Sequence, residues 1–206
     1  MNGAIYQIFV GNNNIAANLA WRTVSEDERK AVQEKERASR EAVGAKEIVS
    51  CDSAWTDEMH PWWGVLQYPD MQARIEHTRT LREIGWLDVV DAFTLLGTAM
   101  SGPETPHIPN PIYKLWIVKN DPAVIDFPDD LQSVILEKHA ALFRECSSQM
   151  LLVCDSSWCN EAYTSFGLEV YPDFESLQSI HAQLVRLGWR KGFNAITYLG
   201  IPASSA

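Results

Sequence analysis

The chain lacks the residue patterns that mark several common classes of protein. Its 206 residues include only four cysteines, which form neither a CxxC motif nor a zinc-binding spacing with histidine. No apolar run approaches the roughly 20 residues that span a bilayer, and the N-terminus has no basic region before an apolar stretch. We therefore expect reduced thiols, no metal site, no membrane partner and a cytoplasmic location.

Basic residues are also scarce. The chain has 17 Lys and Arg against 27 Asp and Glu, which gives a formal net charge of −10. Because nucleic-acid binding needs clustered cations that face the phosphates, we expect no nucleic-acid partner. The sequence contains no P-loop, GxGxxG, HExxH or GxSxG motif. It therefore gives no support to nucleotide chemistry, zinc proteolysis or serine hydrolysis.

What the sequence does contain is an internal repeat. The segment CDSAW at 51–55 returns as CDSSW at 154–158, and YPD at 68–70 returns at 171–173. Both pairs share one offset of 103 residues. Self-similarity of this kind indicates duplicated structural units. We predict a first unit at 1–100, a proline-rich linker at 101–111 and a second unit at 112–206.

Each half shows the same order of predicted elements. In the first half, strands are predicted at 5–10, 48–55, 62–68 and 91–96. Helices are predicted after Ser25, which forms a capping-box pattern with Glu28, and after Asp70. The second half repeats this βαββαβ order, which is that of the ferredoxin-like unit. The sequence therefore predicts an α+β fold of two fused ferredoxin-like units with antiparallel sheets.

Strand alternation predicts which side chains face the helices. The apolar set Phe166, Leu168 and Val170 is expected to face them, because successive strand residues point to opposite faces. The other face is expected to hold Gln7, Phe9, Ser50, Asp52, Trp62 and Leu66 in the first half, and Lys114, Trp116, Val153, Asp155 and Glu169 in the second. Large apolar groups on that face favour two sheets that face each other.

This duplicated pattern resembles the dimeric α+β-barrel superfamily, with both units fused in one chain. The resemblance covers most of residues 5–98 and 112–201 and implies that the sheets form an α+β barrel with an apolar cavity. It also implies a cofactor-independent enzyme, because such barrels host cyclases, isomerases, decarboxylases and cofactor-free monooxygenases. The implied partner is a small aromatic or polyketide-like metabolite of secondary metabolism, and the implied cofactor is none.

Three residues are candidates for acid/base catalysis. Asp52 and Asp155 are repeat equivalents on the predicted interior face, where low dielectric raises a carboxyl pKa toward neutrality. Each aspartate has an alternative role as a cap at the end of its strand. His60 lies beside two tryptophans and either moves protons at a pocket mouth or sits in an exposed turn.

A second group of residues consists of candidates for substrate binding. Flat aromatic walls suit an apolar ligand, although core packing is the alternative for each tryptophan. Lys114 and Glu169 either contact the substrate or form a buried ion pair. The candidates are Trp62, Trp63, Tyr68, Lys114, Trp116 and Glu169.

Two other functions fit the same residues. One is a haem-binding enzyme of this fold with His139 as the axial ligand, although a partly buried structural histidine also explains His139. The other is a non-catalytic module that carries a hydrophobic ligand or assembles with a partner. One chain supplies both sheets, so a monomer and a homodimer are both compatible with the sequence.

Overall fold

The computed structural model describes residues 3–14, 21, 23–121 and 128–203, with only the backbone at 129–132. The chain divides into two compact units, Met1–Thr98 and Ala99–Ala206. All four cysteines are free thiols, and burial raises the pKa of Cys154 to about 12. Within the described ranges, no helix is both long and apolar enough to cross a membrane.

The first unit contains a four-stranded antiparallel sheet in the order β4-β1-β3-β2. Its elements are β1 Ile5–Gly11, α1 Glu26–Ala42, β2 Lys46–Asp52, β3 Trp62–Tyr68, α2 Met71–Glu83, α3 Trp86–Val89 and β4 Ala92–Ser101. A capping box between Ser25 and Glu28 starts α1, as the sequence predicts.

The second unit repeats this arrangement, with its sheet in the order β8-β5-β7-β6. Its elements are β5 Ile112–Lys119, α4 Asp129–Glu145, β6 Gln149–Asp155, β7 Tyr163–Tyr171, α5 Phe174–Arg186, α6 Trp189–Gly192 and β8 Ala195–Pro202. The predicted fold class is confirmed: the chain is α+β and consists of two ferredoxin-like units.

The repeated Tyr-Pro-Asp motif starts an equivalent helix in each unit. The carboxylate of Asp70 accepts a hydrogen bond from the backbone N–H of Ala73 at 2.8 Å, and that of Asp173 accepts one from Ser176 at 2.7 Å. These bonds satisfy donors that the first turn of a helix leaves unpaired. The motif is therefore a device for helix entry in both units.

The repeated Gly-Trp motif ends the same two helices. Gly85 follows α2 with a φ of 73°, and Gly188 follows α5 with a φ of 91°. Glycine adopts this left-handed conformation without the steric cost that a Cβ imposes. Each glycine thereby allows the chain to leave its helix and start the next short helix at Trp86 or Trp189.

The structure reverses the predicted strand faces. In the first unit, Leu66 and Tyr68 pack with Ala73 of α2, so their row faces the helices. In the second unit, Tyr171 packs with Ile180 of α5. The row expected to face the helices lies on the opposite face and is fully buried there: Phe166, Leu168 and Val170 are each 0% exposed.

Two glycines explain why the apolar pattern along the strand predicts the wrong face for the helices. A Cβ on Gly64 would come within 2.3 Å of the Phe9 ring, and one on Gly167 within 2.2 Å of the Trp116 ring. Each aromatic side chain therefore lies across the bare backbone of the neighbouring strand. One face of β7 has small or polar residues in its own sequence, but a large aromatic ring from the neighbouring strand covers that face.

Candidate functional site

A cavity of about 430 Å³ lies within the first unit. It is bounded by residues from β1 and β3 and from α1, α2 and α3. Its apolar walls include Phe9, Trp62, Leu66, Leu81, Trp86 and Leu87. Small-molecule sites in proteins have this size and this largely apolar lining, with a few polar groups that orient the ligand.

His77 of α2 is the most informative polar group in this cavity. Its side chain is 1% exposed, and its Nδ1 lies 2.8 Å from the hydroxyl oxygen of Tyr68. Its Nε2 is buried and has no hydrogen-bond partner in the described part of the chain. Burial, together with the positive charges of Arg74 and Arg40, lowers the pKa of His77 to about 4. The imidazole is therefore neutral at neutral pH.

Two more cavity residues carry polar atoms without a partner. Oε1 of Gln7 and Nε of Arg74 are both buried and unbonded among the described residues. The guanidinium carbon of Arg74 lies 5.7 Å from the centre of the Tyr68 ring, and burial lowers the pKa of this side chain. Because buried polar atoms are normally hydrogen-bonded, an acceptor and two potential donors at one cavity indicate a site for a polar part of a ligand.

A charged cluster of α1 and β2 borders the same cavity. Nε of Arg40 lies 2.8 Å from Oε1 of Glu36, and its Nη1 lies 2.6 Å from Oε2 of Glu47. Oε1 of Glu36 is 3.8 Å from Nε2 of His77. Burial raises the pKa of Glu36, although the charge of Arg40 opposes this. The cation of Arg40 is thus already neutralised by two carboxylates, whereas Arg74 has no carboxylate partner among the described residues.

The equivalent position in the second unit holds a buried ion pair. Gln7 faces Leu66 across β1 and β3, and Lys114 faces Glu169 across β5 and β7. Nζ of Lys114 lies 2.8 Å from Oε2 of Glu169, and the hydroxyl of Tyr171 donates to the same oxygen at 2.5 Å. Lys114 and Glu169 are predicted either to contact a substrate or to form a buried ion pair, and in the structure they form the ion pair.

His139 is next to this ion pair. It is 8% exposed, and its unbonded Nε2 lies 3.7 Å from Oε1 of Glu169. Its ring contacts Phe143, with 4.4 Å between ring centres, and Trp189, with 5.2 Å. Burial lowers the pKa of His139, against the opposing charge of Glu169. Aromatic side chains therefore pack directly against this second neutral imidazole.

The predicted binding tryptophans lie in different environments. Trp62 lines the cavity and contacts Phe9, with 5.6 Å between their ring centres. Trp63 is 0% exposed and, as the next residue of the strand, points to the opposite face of the sheet. Trp116 covers Gly167, and its buried Nε1 has no bond within the described residues. Of the first unit's candidates, only Trp62 and Tyr68 line the cavity.

The two predicted catalytic aspartates stabilise turns. Asp52 is exposed, and its Oδ1 accepts from the backbone N–H of Ala54 at 2.9 Å. Asp155 accepts from the backbone N–H and the hydroxyl of Ser157 at 2.9 and 2.6 Å, and these bonds lower its pKa. The expected low-dielectric environment, with a raised carboxyl pKa, is therefore wrong for Asp155. Neither residue borders the cavity.

The third predicted catalytic residue, His60, also lies in a turn. Its Nδ1 is 2.8 Å from Oδ2 of Asp57, and its side chain is about one-third exposed, at 32%. It does not line the cavity. The histidine that does line it, His77, lacks a motif in the sequence. The signal that could have found it is its spacing: it lies four residues after the buried Ala73, on the same side of α2.

Comparison with known proteins gives matches among solved structures only. No family model matches the sequence, and no curated protein matches it. A mutant chlorite dismutase from Candidatus Nitrospira defluvii matches with a TM-score of 0.74 and 8% identity, covering 98% of this chain and 92% of that chain. The chlorite dismutase of the same organism in complex with imidazole matches with a TM-score of 0.72 and 9% identity, covering 97% and 91%.

A third match is a heme-binding protein from Thermus thermophilus. It has a TM-score of 0.64 and 9% identity, and the match covers 98% of this chain and 90% of that chain. At such identities these matches show a shared fold. They nevertheless overturn the expectation of a cofactor-independent cyclase, isomerase, decarboxylase or monooxygenase with no cofactor. The alternative function, a haem-binding protein of the same fold, agrees better with these neighbours.

Proposed function

We propose that this protein binds haem in the cavity of its first unit, where Nε2 of His77 would hold the iron. The observation that carries the proposal is the buried, unbonded Nε2 at a cavity with aromatic walls. Histidine is a common axial ligand of haem iron, and it coordinates as the neutral imidazole. The depressed pKa of His77 keeps it in that form at neutral pH.

The other residues of the cavity also fit this group. Phe9 and Trp62 offer aromatic surface to a flat macrocycle. Arg74 offers a guanidinium without a carboxylate partner among the described residues, which suits the carboxylate of a propionate. The chemistry of these residues therefore fits haem: one neutral imidazole, one cation without a carboxylate partner among the described residues, and aromatic walls, in a cavity that Glu36, Glu47 and Asp91 also line.

Each of these residues has a distinct task in the proposed function. Bound haem would supply redox chemistry at its iron. Tyr68 would hold the imidazole ring of His77 through their hydrogen bond, and Phe9 and Trp62 would exclude water from the site. Since the structural neighbours include an enzyme, the proposal extends to haem-dependent catalysis in this cavity.

The proposal is tested by titrating the purified protein with hemin and following the Soret band. His77→Ala should weaken hemin binding by about 100-fold or more and remove the histidine-ligated spectrum. His139→Ala is the matched control, because His139 is also buried, neutral and unbonded at Nε2. This control should bind hemin like the wild type.

Two results would contradict the proposal in different ways. If the wild-type protein produces no shifted Soret band, the protein does not bind haem. If His139→Ala loses the band and His77→Ala keeps it, the haem site lies in the second unit at the histidine that the sequence first suggested.

A further inference from the structure

The hydroxyl of Tyr68 has a single hydrogen-bond partner among the described residues. Tyr68 is 1% exposed, and its hydroxyl oxygen lies 2.8 Å from Nδ1 of His77. A buried hydroxyl needs an acceptor for its hydrogen, and Nδ1 is the acceptor within reach. A phenol with its ordinary pKa of about 10 keeps its proton at neutral pH. The hydroxyl therefore donates, and Nδ1 receives the bond through its lone pair.

The second ring nitrogen of His77 faces a carboxylate. Oε1 of Glu36 lies 3.8 Å from Nε2, and no closer polar atom of the described residues bonds to this nitrogen. A nearby carboxylate oxygen favours an N–H over a lone pair. Both neighbours thus favour the same neutral tautomer, in which the proton is on Nε2 and the lone pair is on Nδ1.

We propose that Tyr68 is the positioning residue that sets this tautomer, and that its hydroxyl changes from donor to acceptor when Nε2 binds a metal. Only the change from donor to acceptor rests on the proposed function. Coordination through the Nε2 lone pair requires the proton to be on Nδ1, so the imidazole exchanges one N–H for the other without net gain or loss of a proton. The Tyr68 oxygen then accepts from Nδ1–H, because a phenol oxygen can do either, and its own hydrogen gives up the acceptor that Nδ1 supplied in the free protein.

The second unit shows why the tyrosine matters. The equivalent Tyr171 donates to the carboxylate of Glu169, and an ionised carboxylate can only accept. Tyr171 therefore has a fixed direction of donation, whereas Tyr68 bonds to a group that can also donate. Tyr171→Phe is accordingly the matched control for Tyr68→Phe.

The resting tautomer is measured without haem by nitrogen NMR of the protein labelled with ¹⁵N-histidine at neutral pH. We expect the His77 signals to show a protonated Nε2 and an unprotonated Nδ1. Tyr68→Phe should lower the ratio of this tautomer to the other about fivefold, which corresponds to the loss of one ordinary hydrogen bond. Tyr171→Phe should leave the ratio unchanged. A wild-type His77 with the proton on Nδ1 would overturn the proposal, whether or not Tyr68→Phe folds.

The reversal is tested with zinc protoporphyrin, which is diamagnetic and takes an axial imidazole. In the bound protein, the proton of His77 should appear on Nδ1. A bound porphyrin with Nδ1 still unprotonated would contradict the reversal. Absence of porphyrin binding would count against the proposed haem site, while the tautomer of the free protein would still decide the role of Tyr68.

Discussion

The two units have the same element order, but they use equivalent positions differently. In the first unit, Gln7 and Leu66 face each other beside a cavity, and Gln7 has an oxygen without a partner among the described residues. In the second, Lys114 and Glu169 occupy these positions and form an ion pair at 2.8 Å. The first long helices of the two units also carry different residue types at an equivalent position: Arg40 of α1 corresponds to Phe143 of α4 at the repeat offset of 103 residues.

This difference separates the scaffold from the site. The positions that repeat are helix entries and exits, such as the caps at Asp70 and Asp173. The positions that changed are those around His77 in one unit and His139 in the other. A duplicated fold keeps the residues that fix its backbone, and its chemistry must therefore be sought where the copies disagree.

The largest effects on stability are expected where the units agree. Trp63 and Phe166 are repeat equivalents, and each is 0% exposed. Replacement of either by alanine should lower the free energy of unfolding by about 3–5 kcal/mol, because it removes contacts throughout a buried site. Trp62→Ala, which enlarges an existing cavity, should cost only about 1–2 kcal/mol. Urea unfolding would measure all three, and equal losses for Trp62 and Trp63 would contradict the assigned faces.

A smaller loss is expected when the ion pair of the second unit is broken. Glu169→Leu leaves Lys114 and the hydroxyl of Tyr171 without their acceptor and should cost about 3 kcal/mol. The double variant Lys114→Gln, Glu169→Leu installs the residue types of the first unit and should recover part of this loss. A double variant less stable than Glu169→Leu alone would show that the pair is not the reason for the difference between the units.

The pH dependence of stability should reflect His77. Its native pKa of about 4 lies below its ordinary value of 6.5, so the unfolded chain binds the proton first as the pH falls. The stability that the neutral imidazole contributes is complete above pH 6.5 and should decline by about 2 kcal/mol between pH 7 and pH 5. Glu36 opposes part of this loss, because burial raises its pKa.

The matched measurement compares wild-type protein with His77→Gln across this pH range. The variant should lose less stability on acidification. The pH dependence that remains includes a contribution from His139, because burial also lowers the pKa of that residue. Parallel curves for the two proteins would show that the native fold does not lower the pKa of His77.

The smallest effects are expected at the helix caps, and they should be equal in both units. Asp70→Ala and Asp173→Ala each remove one carboxylate that accepts from the first turn of a helix. Each should lower the free energy of unfolding by about 1 kcal/mol. Thermal unfolding of the two variants would measure these losses. If one variant loses more than about twice as much free energy of unfolding as the other, the two caps have diverged as well.

The fold could be predicted because its signals are local and occur twice. Capping residues, helix-ending glycines and strand composition each depend on a few neighbouring residues, and the repeat doubles the evidence. The strand faces could not be predicted because both rows are apolar: Phe166 and Leu168 lie on one, while the ring of Trp116 fills the other from a neighbouring strand. Periodicity identifies two faces but does not show which one the helices cover.

The candidate site was harder to predict because its residues are distant in the sequence or have no motif. The sequence predicts Trp62 and Tyr68 as binding residues, and both line the cavity, whereas His77 reaches the Tyr68 hydroxyl only when α2 packs against the sheet. Asp52 and Asp155 repeat because each accepts a hydrogen bond from the turn that follows its strand, at Ala54 and Ser157.

The hydroxyl of the Tyr-Pro-Asp tyrosine has a consequence for how the two units diverged. Tyr68 bonds to an imidazole, and Tyr171 bonds to a carboxylate on its own strand. A phenol that stays in place after gene duplication tolerates either companion, since it gives or takes a hydrogen bond as the neighbour requires. The hydroxyl of this tyrosine therefore keeps a hydrogen bond of its own in both units, although its neighbour is an imidazole in one and a carboxylate in the other.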